Sequence, residues 1–188
     1  MTTRDDPSDD TGPGAPPGDG DETGGDGGAD MVRVEVSVPL DRDRAFALFT
    51  DGMAGWWPTS ALLDPVASVD PEAMGASVSV DHEVGGVWSE RSTDGSERRW
   101  GAVRAWDPPA ALRLDWVLGA DRTPEADADR RSVVDVRFAE VDDDLTTVIV
   151  EHRGLAAHGS GANDVRRWVG GDDGWWAILS AYAAAARA

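Results

Sequence analysis

His152, Glu90 and His82 are the residues of this sequence best suited to acid–base chemistry. His152 follows Val148 and Val150 at two-residue spacing, so we expect its side chain to share the buried face of one strand. A histidine in an apolar cavity could anchor a polar group of a ligand or act as a general acid or base. The alternative is a structural histidine that hydrogen-bonds to a backbone carbonyl.

Glu90 and His82 are the candidate partners of His152. Glu90 shares its strand face with Trp88, and His82 stands at two-residue spacing between valines, so both are predicted to face inward. A buried carboxylate beside an imidazole can form an acid–base pair. It can equally form a structural bridge. If the protein is an enzyme, the candidate catalytic set is His152 with Glu90 or His82.

Nine tryptophans predict an unusually aromatic interior. Each tryptophan buries roughly 150–250 Å², and most are expected to be core residues. A subset could line a cavity for a small apolar or aromatic molecule. The candidate ligand-binding residues are Trp56, Trp57, Trp88, Glu90, Trp100, Trp116, His152 and Trp176.

The composition excludes several classes of function. The chain has no cysteine, which excludes disulfides and thiol catalysis. Its formal charge of −19 disfavours binding to nucleic acids and to anionic membranes. The histidines lack metal-site spacing and no phosphate loop is evident, so no metal and no cofactor are expected. Because no apolar run approaches ~20 residues and no signal peptide is evident, a cytoplasmic location is expected.

The chain divides at about residue 30. Residues 1–30 hold nine acidic residues against one arginine, with many glycines and prolines. Such a segment cannot bury enough apolar surface to offset its ordering entropy, so we predict a disordered acidic tail. Residues 31–188 are predicted to form a single domain.

The apolar spacing of the domain predicts strands with two helices before them and a long helix after them. A strand over 31–38 precedes a helix from its cap Asp41 to Phe49 and a short helix or turn ending at Pro58. Six strands are predicted at 78–84, 87–91, 97–106, 112–118, 134–138 and 145–153. A short helix over 163–169 and a final helix over 175–186, capped by Asp172 or Asp173, complete the chain. Trp176, Ile178, Leu179 and Tyr182 are expected to be buried on the final helix.

This order, β-α-α-β6-α, predicts an α+β fold. The hairpin connections imply an antiparallel sheet of about seven strands, and one apolar face per strand requires one cover. A curved sheet around the long C-terminal helix satisfies both conditions. The outward positions of the strands are predicted to form a solvated surface, and they include Arg33, Glu35, Arg113, Asp115, Asp135 and Arg137.

Several short motifs resemble those of a known superfamily. They are Phe49-Thr50 followed by Gly55-Trp56-Trp57-Pro58, Gly85-Gly86-Val87-Trp88-Ser89-Glu90, Asp94-Gly95-Ser96, Trp100-Gly101-Ala102-Val103, Trp106-Asp107-Pro108-Pro109, Glu151-His152-Arg153-Gly154-Leu155 and Gly174-Trp175. In this order they resemble the SRPBCC (START-like, helix-grip) superfamily, and within it the branch of proteins like the activator of heat-shock-protein-90 ATPase. The resemblance implies a deep cavity between the sheet and the last helix. Members of the superfamily include hydrophobic-ligand binders, polyketide cyclases and dehydratases, and a co-chaperone domain.

Three functions follow as alternatives. The first is a binding protein for a small hydrophobic molecule. The second is a cofactor-free cyclase, dehydratase or hydrolase that uses His152 with Glu90 or His82. The third, and least favoured, is a protein-binding module with a chaperone partner, which would need an exposed apolar patch on the sheet. The chain is expected to be a monomer or a homodimer.

Overall fold

The fold is described from a computed structural model that covers residues 30–63, 75–127 and 129–188. Most of the predicted acidic tail and of the loop before residue 75 lies outside these residues. The strands are β1 (Met31–Val38), β2 (Ser77–Val80), β3 (Val87–Arg91), β4 (Glu97–Asp107), β5 (Ala111–Trp116), β6 (Ser132–Asp142) and β7 (Leu145–Arg153). The α-helices are α1 (Arg42–Thr50), α2 (Met53–Trp56), α3 (Ala162–Gly170) and α4 (Trp175–Ala185), and 3₁₀ helices occupy Thr59–Ala61 and Leu155–Gly161.

The seven strands form one antiparallel sheet in the order β1-β7-β6-β5-β4-β3-β2. Strands β2 to β7 therefore form a meander, and β1 closes the far edge against β7. The register places Val34 and Val136 opposite Val150, which aligns the apolar positions of three strands on one face. The predicted α+β architecture is confirmed, and the sheet curls around the C-terminal helix as in the helix-grip fold.

Three register shifts interrupt the strand pairing of the sheet. They lie at Trp88/Ser89 between β3 and β4, at Val103/Ala105 between β4 and β5, and at Glu140/Asp142 between β6 and β7. An extra residue on one strand bends that strand and increases its local twist. We call the concave side of the sheet, which α4 covers, the inner face.

The turn after β2 differs from the prediction. The strand ends at Val80 rather than at Val84, because the carboxylate of Asp81 accepts a hydrogen bond from the backbone N–H of Val87 at 2.8 Å. Gly85 then adopts a φ of +90°, a conformation that favours glycine. Val84 is consequently 66% exposed, and the predicted inward alternation stops before it.

The helix starts are partly as predicted. Asp41 caps α1, and its carboxylate accepts a hydrogen bond from the N–H of Arg44 at 2.7 Å. The prediction that Asp172 or Asp173 caps α4 is wrong, because Gly174 holds that position without a side-chain cap. A Cβ at Gly174 would lie 2.2 Å from the carbonyl oxygen of Val169. The close approach of α3 and α4 therefore requires glycine there.

The helices are attached to the sheet by aromatic contacts. Phe49 of α1 packs edge-on against Phe138 of β6 at 5.6 Å and against Tyr182 of α4 at 5.4 Å. The hydroxyl of Tyr182 donates a hydrogen bond to the carbonyl oxygen of Ala45 at 2.8 Å. These contacts hold α4 across the inner face. Among the described residues, no helix combines the length and the apolarity that crossing a membrane requires.

Candidate functional site

Five tryptophans meet on the inner face, one each from β3, β4, β5 and α4 and one from the turn that follows α2. We call Trp57, Trp88, Trp100, Trp116 and Trp175 the tryptophan cluster. The centroids of Trp88 and Trp100 are 5.3 Å apart, those of Trp57 and Trp100 are 5.3 Å apart, and those of Trp116 and Trp175 are 6.0 Å apart. Most of the pairs are tilted or edge-to-face, which is the geometry that the aromatic quadrupole favours. All five side chains are buried.

The predicted deep cavity is nearly filled by this cluster. The space left between the sheet and α4 has a volume of about 10 Å³, roughly what one water molecule requires. Its lining includes Trp57, Trp100, Trp116, Trp168 and Trp175. Among the described residues, no deep open cavity therefore separates the sheet from α4, and a ligand could enter there only if indole rings moved.

Three indole N–H groups of the cluster have no hydrogen-bond acceptor within the described part of the chain. They are the Nε1–H groups of Trp57, Trp88 and Trp100. An unpaired buried donor costs about 1–3 kcal/mol. By contrast, Trp116 donates to the carbonyl oxygen of Leu118 at 3.0 Å. The unpaired donors thus belong to three rings that contact one another.

Trp56 and Trp176, both predicted to line the site, lie elsewhere. Trp56 is buried between Phe49 and Tyr182, and its Nε1–H donates to the carbonyl oxygen of Leu48 at 2.8 Å. Trp176 is 60% exposed, so its expected burial on α4 is wrong. Trp175 occupies the inner position instead.

Helical spacing explains why Trp175, and not Trp176, is buried. The buried residues of α4 are Trp175, Ile178, Leu179, Tyr182 and Ala183, which follow the i, i+3, i+4, i+7 pattern of one helix face. Trp176 does not fit that pattern. The sequence therefore contained the signal that selects Trp175.

His152 is completely buried beside the cluster, as its place after Val148 and Val150 predicts. Its Nδ1 accepts a hydrogen bond from Nε1–H of Trp175 at 3.1 Å, and its Nε2 lies 2.7 Å from Oγ of Ser132. Burial, with a smaller contribution from His158, lowers the pKa of His152 to about 3. The imidazole is therefore neutral near pH 7.

Ser132 connects His152 with a second buried histidine. Its Oγ lies 2.9 Å from Nε2 of His158, so one hydroxyl contacts two imidazoles. Because Trp175 must donate to Nδ1 of His152, the neutral ring carries its proton on Nε2 and donates to Ser132. Ser132 then donates its own proton to Nε2 of His158, which places the His158 proton on Nδ1.

The chain of contacts ends at Glu125. Nδ1 of His158 has no hydrogen bond within the described residues, and the nearest carboxylate oxygen is Oε1 of Glu125 at 3.8 Å. Burial lowers the pKa of His158, and Glu125 opposes that effect. Glu125 is held in place by its backbone N–H, which donates to the carbonyl oxygen of Val117 at 2.7 Å.

Glu90 and His82 do not supply the hydrogen bonds of His152, since both of its ring nitrogens are already paired. Glu90 is fully buried, and its Oε2 accepts a hydrogen bond from the N–H of Leu63 at 2.8 Å. His82 lies at the surface beyond the end of β2. Its Nε2 is 3.1 Å from Oδ1 of Asp51, and its ring stacks on Trp106 at 4.9 Å. The inward placement predicted for His82 is therefore wrong.

Sequence reasoning missed Ser132, His158 and Glu125. Ser132 opens β6 and pairs in register with Trp116, so only the strand pairing reveals its position. His158 lies among glycines in Leu155–Gly161, which suggested a loop. It is nevertheless fully buried, with Ser132 Oγ 2.9 Å from its Nε2 and Glu125 Oε1 3.8 Å from its Nδ1.

The outer face of the sheet carries ion pairs, as its alternating charges predict. Two of its carboxylates are nearly buried beneath arginines. Glu151 pairs with Arg33, Arg137 and Arg153. Burial alone would raise the pKa of Glu151, but hydrogen bonds from Arg153 and Arg33 outweigh that effect and lower it.

Asp115 is the second buried carboxylate, and it accepts hydrogen bonds from Arg104 at 2.7 Å and from Arg131 at 3.2 Å. Its burial differs from the solvated position that was predicted for it. In the part of the chain that the structure describes, no three histidine, aspartate or glutamate side chains are grouped as metal ligands would be.

The curled seven-stranded sheet with its C-terminal helix is that of the SRPBCC, helix-grip class. The model of the family "Activator of Hsp90 ATPase homolog 1-like protein" matches residues 39–181, and the chain belongs to that family. No curated protein sequence matches the chain.

Two solved structures share close to a third of its residues. The anthrahydroquino-γ-pyrone synthase Txn09 is 30% identical with a TM-score of 0.58, and the match covers 82% of this chain and 96% of that one. The self-sacrificing resistance protein CalC from Micromonospora echinospora is 31% identical with a TM-score of 0.58, and the match covers 84% of this chain and 94% of that one.

Proposed function

We propose that the protein binds a small, neutral aromatic molecule that carries hydrogen-bond acceptor oxygens. The observation that carries this proposal is the set of three unpaired indole N–H groups on Trp57, Trp88 and Trp100. Buried polar groups without partners are uncommon, and their retention is typical of functional sites. A carbonyl or ether oxygen of a ligand would supply the missing acceptors.

The lining favours an aromatic and neutral ligand. Indole faces and edges stabilise a flat ring by stacking and edge-to-face contact. Of the ten residues that line the space, only Asp173 carries a charge. With the chain at −19 overall, association of a ligand that is already anionic in solution is disfavoured.

Entry of a ligand requires the start of α4 to move. Trp168 of α3 and Trp175 of α4 both line the small space, and three glycines, Gly170, Gly171 and Gly174, connect the two helices. An outward shift of this connection would carry Trp175 away from the sheet and open the space. The two relatives add support, since one is named as a synthase of a fused aromatic product and the other as a resistance protein.

A matched pair of ligands tests the proposal. We expect 1,4-naphthoquinone to raise the melting temperature and to quench tryptophan fluorescence, whereas naphthalene, of the same shape but without acceptors, should do so much less. The chain contains no cysteine and no lysine, so the quinone has no side-chain thiol or amine to alkylate. Equal stabilisation by both compounds, or none by either, would contradict the proposal.

A variant pair localises the binding. Trp100→Phe removes one unpaired N–H from the cluster and should reduce the preference for the quinone over the hydrocarbon by roughly tenfold, the equivalent of one hydrogen bond. Trp176→Phe makes the same change at an exposed position and should leave the preference unaltered. If both variants behave alike, the quinone binds elsewhere.

The protein-binding alternative has less support. The outward charges of the sheet are neutralised in ion pairs, and the exposed large apolar side chains of the described residues are Val84, Val141 and Trp176, on separate elements. Docking of a partner protein would need a contiguous apolar patch. An ATPase assay with the chaperone tests this alternative directly, and stimulation would support it.

A further inference from the structure

Four polar side chains connect the tryptophan cluster with the surface. Starting at Trp175, the contacts pass through His152, Ser132 and His158 to Glu125, with separations of 3.1, 2.7, 2.9 and 3.8 Å. The two histidines and the serine are fully buried, while the side chain of Glu125 is 21% exposed. One end of this series faces the proposed ligand site, and the other reaches solvent.

The hydrogen bonds of the series all point the same way. The indole of Trp175 donates to His152, His152 donates to Ser132, and Ser132 donates to His158. The remaining proton, on Nδ1 of His158, faces the carboxylate of Glu125. This common direction follows from the indole of Trp175, which can only donate, and the carboxylate at the outer end gives the series a group that can exchange protons with water.

We propose that His152, Ser132, His158 and Glu125 form a proton path between the ligand site and the surface. His152 is the group that would exchange a proton with a ligand, and the other three would act through it. The ligand step rests on the proposed function, but the path itself is present in the protein without a ligand.

Transfer along the path can be written without any further reactant. A ligand hydroxyl replaces the N–H of Trp175 at His152 and gives its proton to Nδ1, while the Nε2 proton of His152 moves to Oγ of Ser132. The Ser132 proton passes to Nε2 of His158, and the Nδ1 proton of His158 passes to Glu125. The ligand becomes an anion, Glu125 becomes neutral and then releases its proton to water, and no group is oxidised or reduced.

The path selects a class of ligand. A neutral imidazole of low basicity removes a proton only from an acidic hydroxyl, such as a phenol or an enol stabilised by a neighbouring carbonyl. Such a molecule also has the acceptor oxygen that the unpaired indoles require. Among the described residues, the charged groups that face the path are Glu125 and Arg130, both at His158. They act on its outer end and leave the inner end apolar.

Exchange of the buried imidazole protons with water tests the path without a ligand. With ¹⁵N-labelled histidine, NMR should show the Nε2–H tautomer for His152 and the Nδ1–H tautomer for His158, with the exposed His82 as a reference. Although it is fully buried, the Nε2 proton of His152 should exchange measurably with water. Ser132→Ala should slow that exchange by about tenfold or more, while the backbone amides of β7 keep their rates.

The direction in which the exchange rate changes distinguishes a proton path from a purely structural role of Ser132. If Ser132 only packs, its removal loosens the site and leaves the imidazole exchange unchanged or makes it faster, which would overturn the proposal. Because Ser132 is buried, Glu125→Gln tests the same path from its exposed end and should also slow the exchange. Asp127→Asn, a matched change on the same loop, should have no effect. An Nδ1–H tautomer at His152 would likewise contradict the proposed direction.

Discussion

The two faces of the sheet differ in how completely their buried polar groups are paired. On the outer face, the buried carboxylates of Glu151 and Asp115 are each paired with two or more arginines. On the inner face, three buried indole N–H groups are unpaired although backbone carbonyls satisfy neighbouring tryptophans. His152 and Trp116 on the inner face are paired, so it is the three unpaired donors that mark the region that we assign to a ligand.

The difference also concerns how the polar groups are buried. Outer-face carboxylates are covered by arginines that remain 34–54% exposed, so their charges stay partly hydrated. Inner-face donors are covered by other aromatic rings and have no access to water. An unpaired group on the inner face therefore imposes a larger free-energy penalty than the loss of one partner on the outer face.

The largest expected effect is the removal of an inner-face ring. Trp175→Ala deletes a buried indole and its hydrogen bond to His152, and it should lower the free energy of unfolding by about 3–5 kcal/mol. Trp176→Ala, the adjacent and exposed tryptophan, should change it by less than about 0.5 kcal/mol. Urea unfolding of both variants measures the difference, and similar losses would mean that the assigned helix face is wrong.

Acidification should also weaken the inner face. His152 takes up a proton in the unfolded chain near its ordinary pKa of 6.5 but in the folded protein only near 3. Between these values the unfolded state binds more protons, so stability falls as the pH falls. From pH 7 to pH 5 the loss should be about 2 kcal/mol.

Urea midpoints at pH 7 and pH 5 measure this loss. The ring of His152 should remain neutral in NMR spectra of the folded protein down to about pH 4. A midpoint that is unchanged or higher at pH 5 would show that His152 is not buried in its neutral form.

A smaller effect is expected on the outer face. Glu151→Gln keeps the shape of the side chain but removes the charge that pairs with three arginines, and it should lower the free energy of unfolding by about 1–2 kcal/mol at pH 7. Because pairing lowers the pKa of Glu151 below its ordinary value of 4.5, its contribution is present above that pH. It is lost as the pH falls through the folded-state pKa.

Glu35→Gln is the matched control, since Glu35 is exposed and pairs with Arg33 alone among the described arginines. Its effect should be less than about 0.5 kcal/mol. The stability difference between the two variants should shrink as the pH falls below 4.5 and through the lowered pKa of Glu151. A difference that does not shrink on acidification would point to packing rather than charge.

Much of the fold was predictable because local signals decide it. The bounds of β3 and β7 follow from alternation of apolar residues between turn residues, and Asp41 caps α1 as its type predicts. The end of β2 was not predictable, since it depends on a hydrogen bond between Asp81 and the backbone six residues later. Such a hydrogen bond ends the strand without changing the alternation of apolar and polar residues in the sequence.

The site was less predictable than the fold. The predicted place of His152 is confirmed, but its partners Ser132 and His158 come from elements that meet only after the sheet is formed. The volume of the cavity also cannot be predicted from the sequence. It depends on how five indole rings pack together, which the order of the strands and helices does not determine.

The indole signals of the nine tryptophans provide the most direct test of the central claim. In a ¹H–¹⁵N spectrum, addition of 1,4-naphthoquinone should shift the Nε1–H signals of Trp57, Trp88 and Trp100 downfield, because each gains an acceptor. The signals of Trp56, already paired, and of exposed Trp176 should shift little. If the quinone shifts Trp176 alone, or leaves the three unpaired indoles unchanged, the inner face is not a ligand site.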